Sequence, residues 1–203
     1  MTKAALILHA HQPYPFAPGK LNATFAERIA AHLREWPMGD PLDPRNRIGA
    51  LVSRRHCDRV RAALDGAQVL IGGGGEGGFV APTVIAVEPD APQAREEIFG
   101  PVLSVLTVDT VAQALALAND TDYGLTASLF TRDVTRALRG ARGLRAGTVT
   151  VNSFGEGDVT TPFGGFRTSG FGGRDKGIHA HDQYTRIKTI WLDLTDDRDE
   201  AVD

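Results

Sequence analysis

Glu96-Glu97-Ile98-Phe99-Gly100-Pro101-Val102 sets two carboxylates beside an aromatic ring and a Gly-Pro turn. Such a turn is a rigid platform for an acid. A carboxylate can accept two hydrogen bonds from vicinal hydroxyls, as a ribose offers. The plainer reading is a solvated Glu-Glu loop ahead of a strand. A second cluster lies in the Gly-rich stretch 153–177, close behind Asn152, and carries Glu156, Asp158 and Phe163. Phe163, between Pro162 and Gly164, can present its ring with little backbone around it, as the apolar wall of a small-ligand pocket does. It can equally anchor the loop, and the two roles coexist. Glu156 and Asp158 favour a cationic ligand nearby, or are two solvated loop acids.

Other residue types that could do chemistry are weaker. Gly73-Gly74-Gly75-Glu76-Gly77-Gly78 satisfies the spacing of a dinucleotide-binding turn. That turn needs a helix to begin at its last glycine, so that the helix N-terminus meets the pyrophosphate. Pro82 and a β-branched run follow instead, which favours a hairpin-like loop. His9 and His11 would share one face of a strand and could bind a metal, but no acidic or third imidazole partner is evident, so no metal site is expected. His56, His179 and His181 read as surface or turn residues. Cys57, the single cysteine, sits in the charged run Ser53-Arg54-Arg55-His56-Cys57-Asp58-Arg59-Val60 and is not expected to be a nucleophile. One cysteine also excludes an internal disulfide framework.

The elements that must position these residues follow from periodicity and turn chemistry. Met1–Leu8 can form a short strand, and the prolines at 13, 15 and 18 rule out a helix after it. Phe25, Ile29, Leu33 and Trp36 recur at helical spacing, with Asn22 or Thr24 available as a cap, until Pro37 and Gly39 stop the helix. A second helix is predicted from Ser53 to Leu64. Strands are predicted at Gln68–Ile71, Thr83–Val87 and Val102–Val108. A regular alternation follows: helix Thr110–Asn119, with Val111, Ala114, Leu115 and Ala118 on one face; strand Thr126–Phe130; then a helix capped by Asp133, with Val134, Ala137, Leu138 and Ala141 facing the core; then strand Thr148–Val151. That order implies parallel strands joined by crossovers. The strands at 102–106 and 148–151 are apolar enough to be covered on both faces. Lys188–Leu194 alternates like a terminal strand, and an acidic tail follows.

The chain has 203 residues, 42% of them hydrophobic, with a net charge of −3. A real core can be buried. Scattered Lys and Arg give no basic stripe for nucleic acid, and no apolar run is long enough to span a membrane. Ala4–Leu8 is too short for a signal peptide, so a cytoplasmic protein is expected.

Several ordered segments together carry a resemblance. They are Gly39-Asp40-Pro41-Leu42-Asp43-Pro44, Ile48–Ser53, Ala81-Pro82-Thr83-Val84, Glu96–Val102, Ala118-Asn119-Asp120-Thr121 and Tyr123-Gly124-Leu125. Ala146–Val149, Val151-Asn152, Pro162–Phe166, Ser169-Gly170 and Lys188-Thr189 complete the set. From about Leu21 to Leu194 the chain resembles the aldehyde dehydrogenase superfamily, in the part that follows its catalytic cysteine. Glu156–Pro162, Gly173–Lys176, His179-Ala180 and Lys188–Trp191 look most like the γ-glutamyl-γ-aminobutyraldehyde (aminoaldehyde) branch. The resemblance implies an α/β fold with a parallel-rich sheet and flanking helices. It further implies an unmatched segment over 1–20, a catalytic-domain part over 21–187, and an oligomerisation strand with its tail over 188–203.

It also implies a chemistry. A cysteine thiolate attacks the aldehyde carbon, the adduct gives a hydride to NAD or NADP, and water activated by a glutamate releases the acid. By match to the motifs, Glu97 binds ribose hydroxyls with Phe99 beside it, and His56 falls at the cofactor edge. Phe163 and Asn152 belong to the aldehyde pocket, and Glu156 and Asp158 lie where an amine-bearing substrate would enter. The family's nucleophile, general-base glutamate and cofactor domain lie upstream of the matched region. The chain alone is therefore expected to be inactive and to bind cofactor weakly or not at all. It would need a missing N-terminal half, or form a homo-oligomer. The alternatives are a non-catalytic association module or a decayed gene product. Leu6–Tyr14 also looks like the opening strand of family-57 glycoside hydrolases, over too little of the chain to carry a function.

Overall fold

The computed structural model describes residues 5–9, 13–18, 23–155 and 157–194. The chain opens with two strands, β1 (Ala5–His9) and β2 (Pro13–Pro18), then helix α1 (Ala23–Arg34). Helix α2 (Arg54–Ala62) starts where Ser53 Oγ accepts from the backbone N–H of His56. Strands β3 (Gln68–Ile71) and β4 (Thr83–Ala86) form an antiparallel pair. The short helix α3 (Pro92–Arg95) precedes β5 (Val102–Val108). Then come α4 (Val111–Asn119), β6 (Thr126–Phe130), α5 (Val134–Gly143) and β7 (Thr148–Val151). Thr110 caps α4 and Asp133 caps α5, each accepting from an N–H of the first turn. Such caps satisfy helix donors that have no partner within the helix. Of the residues expected to cap α1, Asn22 lies outside the described residues, and Thr24 falls inside the helix rather than before it.

The strands form one sheet in the order β3-β4-β5-β2-β1-β6-β7. β4, β5 and β2 are parallel neighbours, as are β6 and β7, whereas β1 is antiparallel to both β2 and β6. The fold is thus α/β with a parallel-rich sheet, as expected. A core forms where Leu106 and Val108 of β5, Ala127 and Leu129 of β6, and Ala114 and Ala118 of α4 meet with Leu144. Val84, Ile85 and Val105 are also buried to within 2%, each contributing about 1.5–3 kcal/mol relative to exposure.

Three expectations are corrected. Lys188–Leu194 forms no strand; Ile190, Trp191 and Leu192 are exposed to 74%, 91% and 72%. An edge sequence with no partner ladder has nothing to pair with. β7 is an edge strand and only half-buried, not covered on both faces. On α5 the expected core residues Val134 and Leu138 are exposed. The helix instead buries Gly140, where an added Cβ would lie 2.5 Å from Leu129 Cδ2. The helix comes down on its smallest residue; Leu138 lies about 160° and Val134 about 120° round the helix from Gly140, so both face away from the sheet.

Candidate active-site elements

The Glu97–Phe99 loop is the turn between α3 and β5. Gly100 lets it press on α2: a Cβ there would stand 2.7 Å from Val60 Cγ1. Glu97 is half-buried and Phe99 is 63% exposed. Phe99 has φ 55°, in the left-handed region that a non-glycine residue rarely adopts. His56 of α2 pins it. Nε2 of His56 lies 2.6 Å from the Phe99 carbonyl, and Nδ1 lies 2.7 Å from a guanidinium nitrogen of Arg59. A guanidinium only donates, so Nδ1 accepts and the Nε2–H donates to Phe99. Sequence reading placed His56 and Phe99 in one site, and the structure brings them into direct contact.

The second group surrounds Phe163. After β7 the chain runs out through residues 153–163 and returns. Gly164 then touches the start of β7 so closely that a Cβ on Gly147 would fall 1.7 Å from its carbonyl. Phe166 donates its N–H to the Gly124 carbonyl at the start of β6. The return carries Phe163 to the N-terminal end of the parallel strands, the end where the Glu97 loop enters β5. Phe163 is half-buried, with the Lys176 ammonium 5.1 Å from its ring centre. Asp158 caps its own turn, its carboxylate accepting from the backbone and hydroxyl of Thr160. The Thr160 N–H, then its hydroxyl, then the charge of Lys176 hold that carboxyl below its ordinary range. Glu156 lies outside the described residues.

Asn152 is placed at the other end of β7, four residues on from Thr148, or about 13 Å along the strand. Its side chain behaves as a backbone surrogate. Oδ1 accepts from the Thr131 N–H at 2.8 Å, and Nδ2 donates to the Thr131 carbonyl at 2.8 Å. Asn152 also has positive φ, 55°. Arg167, at φ 56°, completes the set of non-glycine residues described in this conformation, and its guanidinium donates to the carbonyls of Asn119 and Thr121. All three strained residues lie in the motif loops, and each is tied by a specific side-chain hydrogen bond, an arrangement that offsets strain held at functional sites.

The loop Asn119–Gly124 was quoted as a motif without a role. It is a structural knot. Asn119 donates to the Gly143 carbonyl and accepts from the Arg145 N–H. Arg95 binds the Asp120 carboxylate at 2.7 Å and its carbonyl at 2.6 Å. Under it lies a cavity of about 40 Å³ lined by Ala94, Leu106, Leu117, Ala127 and Leu144, with Arg95 and Asp120 at its rim. That volume is on the scale of one or two waters. The Gly73–Gly78 loop behaves as the hairpin connection expected of it. It leads from β3 into β4, and Arg61 donates to the carbonyls of Gly75, Gly77 and Phe79. Carbonyls turned toward a guanidinium are the opposite of a phosphate cradle, which presents N–H groups. Cys57 is fully buried, with its thiol directed at the Gly78 carbonyl.

The profile of the Aldehyde dehydrogenase family matches residues 16–190. The chain belongs to this family. Among its relatives, the aminoacetaldehyde dehydrogenase of Pseudomonas aeruginosa is 56% identical over 94% of this chain and 38% of its own length. The NADP/NAD-dependent aldehyde dehydrogenase PuuC of Escherichia coli is 43% identical over 86% of this chain and 37% of its own. The crystal structure of a γ-glutamyl-γ-aminobutyraldehyde dehydrogenase from Burkholderia cenocepacia superposes with a TM-score of 0.81 and 43% identity, over 86% of this chain and 37% of that one. This aldehyde dehydrogenase chain therefore spans under two-fifths of the length of these relatives. Among the described residues no group of three or more His, Cys, Asp or Glu could hold a metal, and no helix is long and apolar enough to cross a membrane.

Proposed function

We propose that this chain supplies the C-terminal part of an NAD(P)-dependent aldehyde dehydrogenase that oxidises an aldehyde, of aminoaldehyde type, to its carboxylic acid. We further propose that it is inactive by itself. The observation that carries this reading is the combination of near-complete coverage of this chain with partial coverage of each relative. The buried thiol of Cys57 supports the second point, because a nucleophile must reach its carbonyl.

The residues present suit one edge of a nicotinamide dinucleotide. Glu97 offers a carboxylate for two ribose hydroxyls on a loop that His56 fixes through Phe99, and Phe99 offers an exposed ring beside it. When bound, the nicotinamide takes up the hydride. Phe163 forms an apolar wall at the same end of the sheet. Asp158 is the acid on this loop that an amine-bearing aldehyde would meet, and Glu156, outside the described residues, is assigned the same role from the sequence alone. Asn152 acts by holding the end of β7 against Thr131. The choice between NAD and NADP rests on the part of the family domain that this chain does not span.

A second reading is favoured by one observation: residues 187–194 present Ile187, Ile190, Trp191, Leu192 and Leu194 almost fully to solvent. An extended apolar segment of this kind adds to a neighbour's sheet edge, which makes the chain an association partner within a homo-oligomer.

The first reading is tested by following reduced nicotinamide formation with an aminoaldehyde and with an aliphatic aldehyde. The purified chain should give no rate above blank. Adding the amino-terminal portion of the Pseudomonas relative that this chain does not match should restore turnover, greater with the aminoaldehyde. A rate from the chain alone that is abolished by Cys57→Ala would overturn the reading.

A further inference from the structure

We infer that Phe163 and Asp158 make a site for a primary ammonium group, that the side chain of Lys176 fills it from within the chain, and that Lys176 thereby sets how strongly an amine-bearing aldehyde is preferred over a neutral one. The inference deepens the reading above, in which Phe163 walls the aldehyde pocket and Asp158 meets the substrate's amine, and it rests on that reading.

Residues 175–177 are fastened across the turn that carries both groups. The Asp175 N–H donates to the Phe163 carbonyl at 2.6 Å, and the Gly177 N–H donates to the Val159 carbonyl at 3.0 Å. Gly177 allows the approach: it has φ 69°, and a Cβ there would stand 2.8 Å from the Thr160 carbonyl. Lys176 lies between these two anchors and is half-buried. Its ammonium stands 5.1 Å from the centre of the Phe163 ring, within the range at which a ring face attracts a cation. Its charge also reaches Asp158, whose carboxyl is held below its ordinary range by the Thr160 N–H, then the Thr160 hydroxyl, then Lys176.

A ring face and a carboxylate are what an alkylammonium ion seeks. Lys176 is itself an alkylammonium ion on a tether. A second cation meets repulsion at the ring and a carboxylate whose field is already partly neutralised. Lys176 therefore competes with the amine of a substrate and has no such quarrel with a neutral aldehyde. It can also give way. Its stem is flexible and its ammonium strongly hydrated, so the side chain can turn to solvent as a substrate enters. The neighbouring pair is built differently. Arg174 stands 5.5 Å from the Phe166 ring centre, but it donates to the Gly173 carbonyl, and its Cδ is packed where a Cβ on Gly164 would lie 3.1 Å away. Arg174 braces the loop, whereas Lys176 guards the pocket.

The test has two arms. In the first, the full chain carrying isotope-labelled phenylalanine is titrated with propylammonium and, separately, with propanol. The Phe163 ring resonances are followed, with Phe163→Leu to identify them. Lys176→Met, which keeps the length and the apolar stem, should bind propylammonium about five-fold more tightly than wild type, with propanol binding unchanged. Lys176→Arg, which keeps the charge, should bind as weakly as wild type. Equal propylammonium binding by wild type and Lys176→Met, no shift in either, or a gain for propanol as large as for propylammonium overturns the inference. The second arm uses the chain complemented with the unmatched portion of the Pseudomonas relative. There Lys176→Met should lower KM for the aminoaldehyde about five-fold, leaving its kcat and the KM for the aliphatic aldehyde unchanged. Turnover in which both KM values move alike, or neither moves, overturns the inference and leaves the half-enzyme reading standing. No turnover from any complemented form, with the expected binding in the first arm, overturns the half-enzyme reading and with it the role in selectivity, while the ammonium site stands.

Discussion

The Nε2–H of His56 reaches across from α2 to the carbonyl of Phe99, 2.6 Å away, while Arg59 fills the acceptor at Nδ1. One imidazole thus joins a helix to the strained residue of the loop that carries Glu97. The tautomer follows from Arg59, since a guanidinium has no lone pair to offer.

His56→Ala should therefore loosen the loop without unfolding α2, whose cap is Ser53. The lost hydrogen bond is worth about 1 kcal/mol, roughly a five-fold rise in amide exchange over residues 98–102. His56→Gln, which keeps a donor, should recover part of it. Exchange unchanged in His56→Ala would mean that the backbone alone holds Phe99.

Asn152 gives a sharper pair of variants. Asn152→Gly tolerates φ 55° but loses both bonds to Thr131, and Asn152→Asp keeps the acceptor while facing the Thr131 carbonyl with a second oxygen. Asn152→Asp should be the more destabilising at neutral pH, by about 1–3 kcal/mol, read from urea midpoints. Asn152→Gly with an unchanged urea midpoint would show that the side-chain bonds contribute nothing, whereas Gly costing as much as Asp would show that the second oxygen adds nothing to the loss of the bonds themselves.

Much of the fold was legible because local rules and tertiary packing agreed. Gln68–Ile71, Val102–Val108, Thr126–Phe130 and Thr148–Val151 are strands with the predicted bounds, and Asp133 caps the helix it was expected to cap. What failed depended on partners distant in sequence. The face of α5 was misread because Gly140, not Val134 or Leu138, meets Leu129. A glycine carries no weight in a hydrophobic pattern, yet it sets the closest approach of helix and sheet. Lys188–Leu194 has the alternation of a strand, but alternation cannot supply a ladder to pair with.

The candidate site divides in the same way. His56 and Phe99 stand 43 residues apart and were placed together only through motif resemblance; no local pattern links a helix imidazole to a carbonyl that far along. The Arg95–Asp120–Arg167 knot escaped notice for a like reason, since each residue reads singly as a solvated charge. Asn152 was read for the ligand-binding capacity of its amide. The positive φ that turns that amide back on Thr131 is a property of the folded turn.

Asp120 carries a pH prediction. The Arg95 guanidinium, first by hydrogen bond and then by charge, holds its carboxyl below the usual carboxylate range. The folded value is thus lower than the unfolded one, about 3.9. Such a group contributes stability in full above the unfolded value and loses it as pH falls through the folded value. Urea midpoints should hold from neutrality to roughly pH 4 and then fall, and Asp120→Asn should flatten that acid limb. Both side chains are substantially exposed, so the effect is small and weakens with salt. An acid limb identical in Asp120→Asn would place the titrating group elsewhere.

The exposed segment 187–194 makes the association reading testable apart from catalysis. Ile190, Leu192 and Leu194 fall on one side of an extended chain and Trp191 on the other, and all are exposed by 72% or more. Apolar surface of that density in water favours a partner, and an edge such as β7 offers one. Wild-type chain should therefore sediment as a concentration-dependent oligomer. Ile190→Lys/Leu192→Lys should shift it toward monomer with an unchanged circular dichroism spectrum, because neither side chain supports the core. A wild-type monomer over the whole concentration range, with little dye-accessible apolar surface, would show that the segment folds back on its own chain instead.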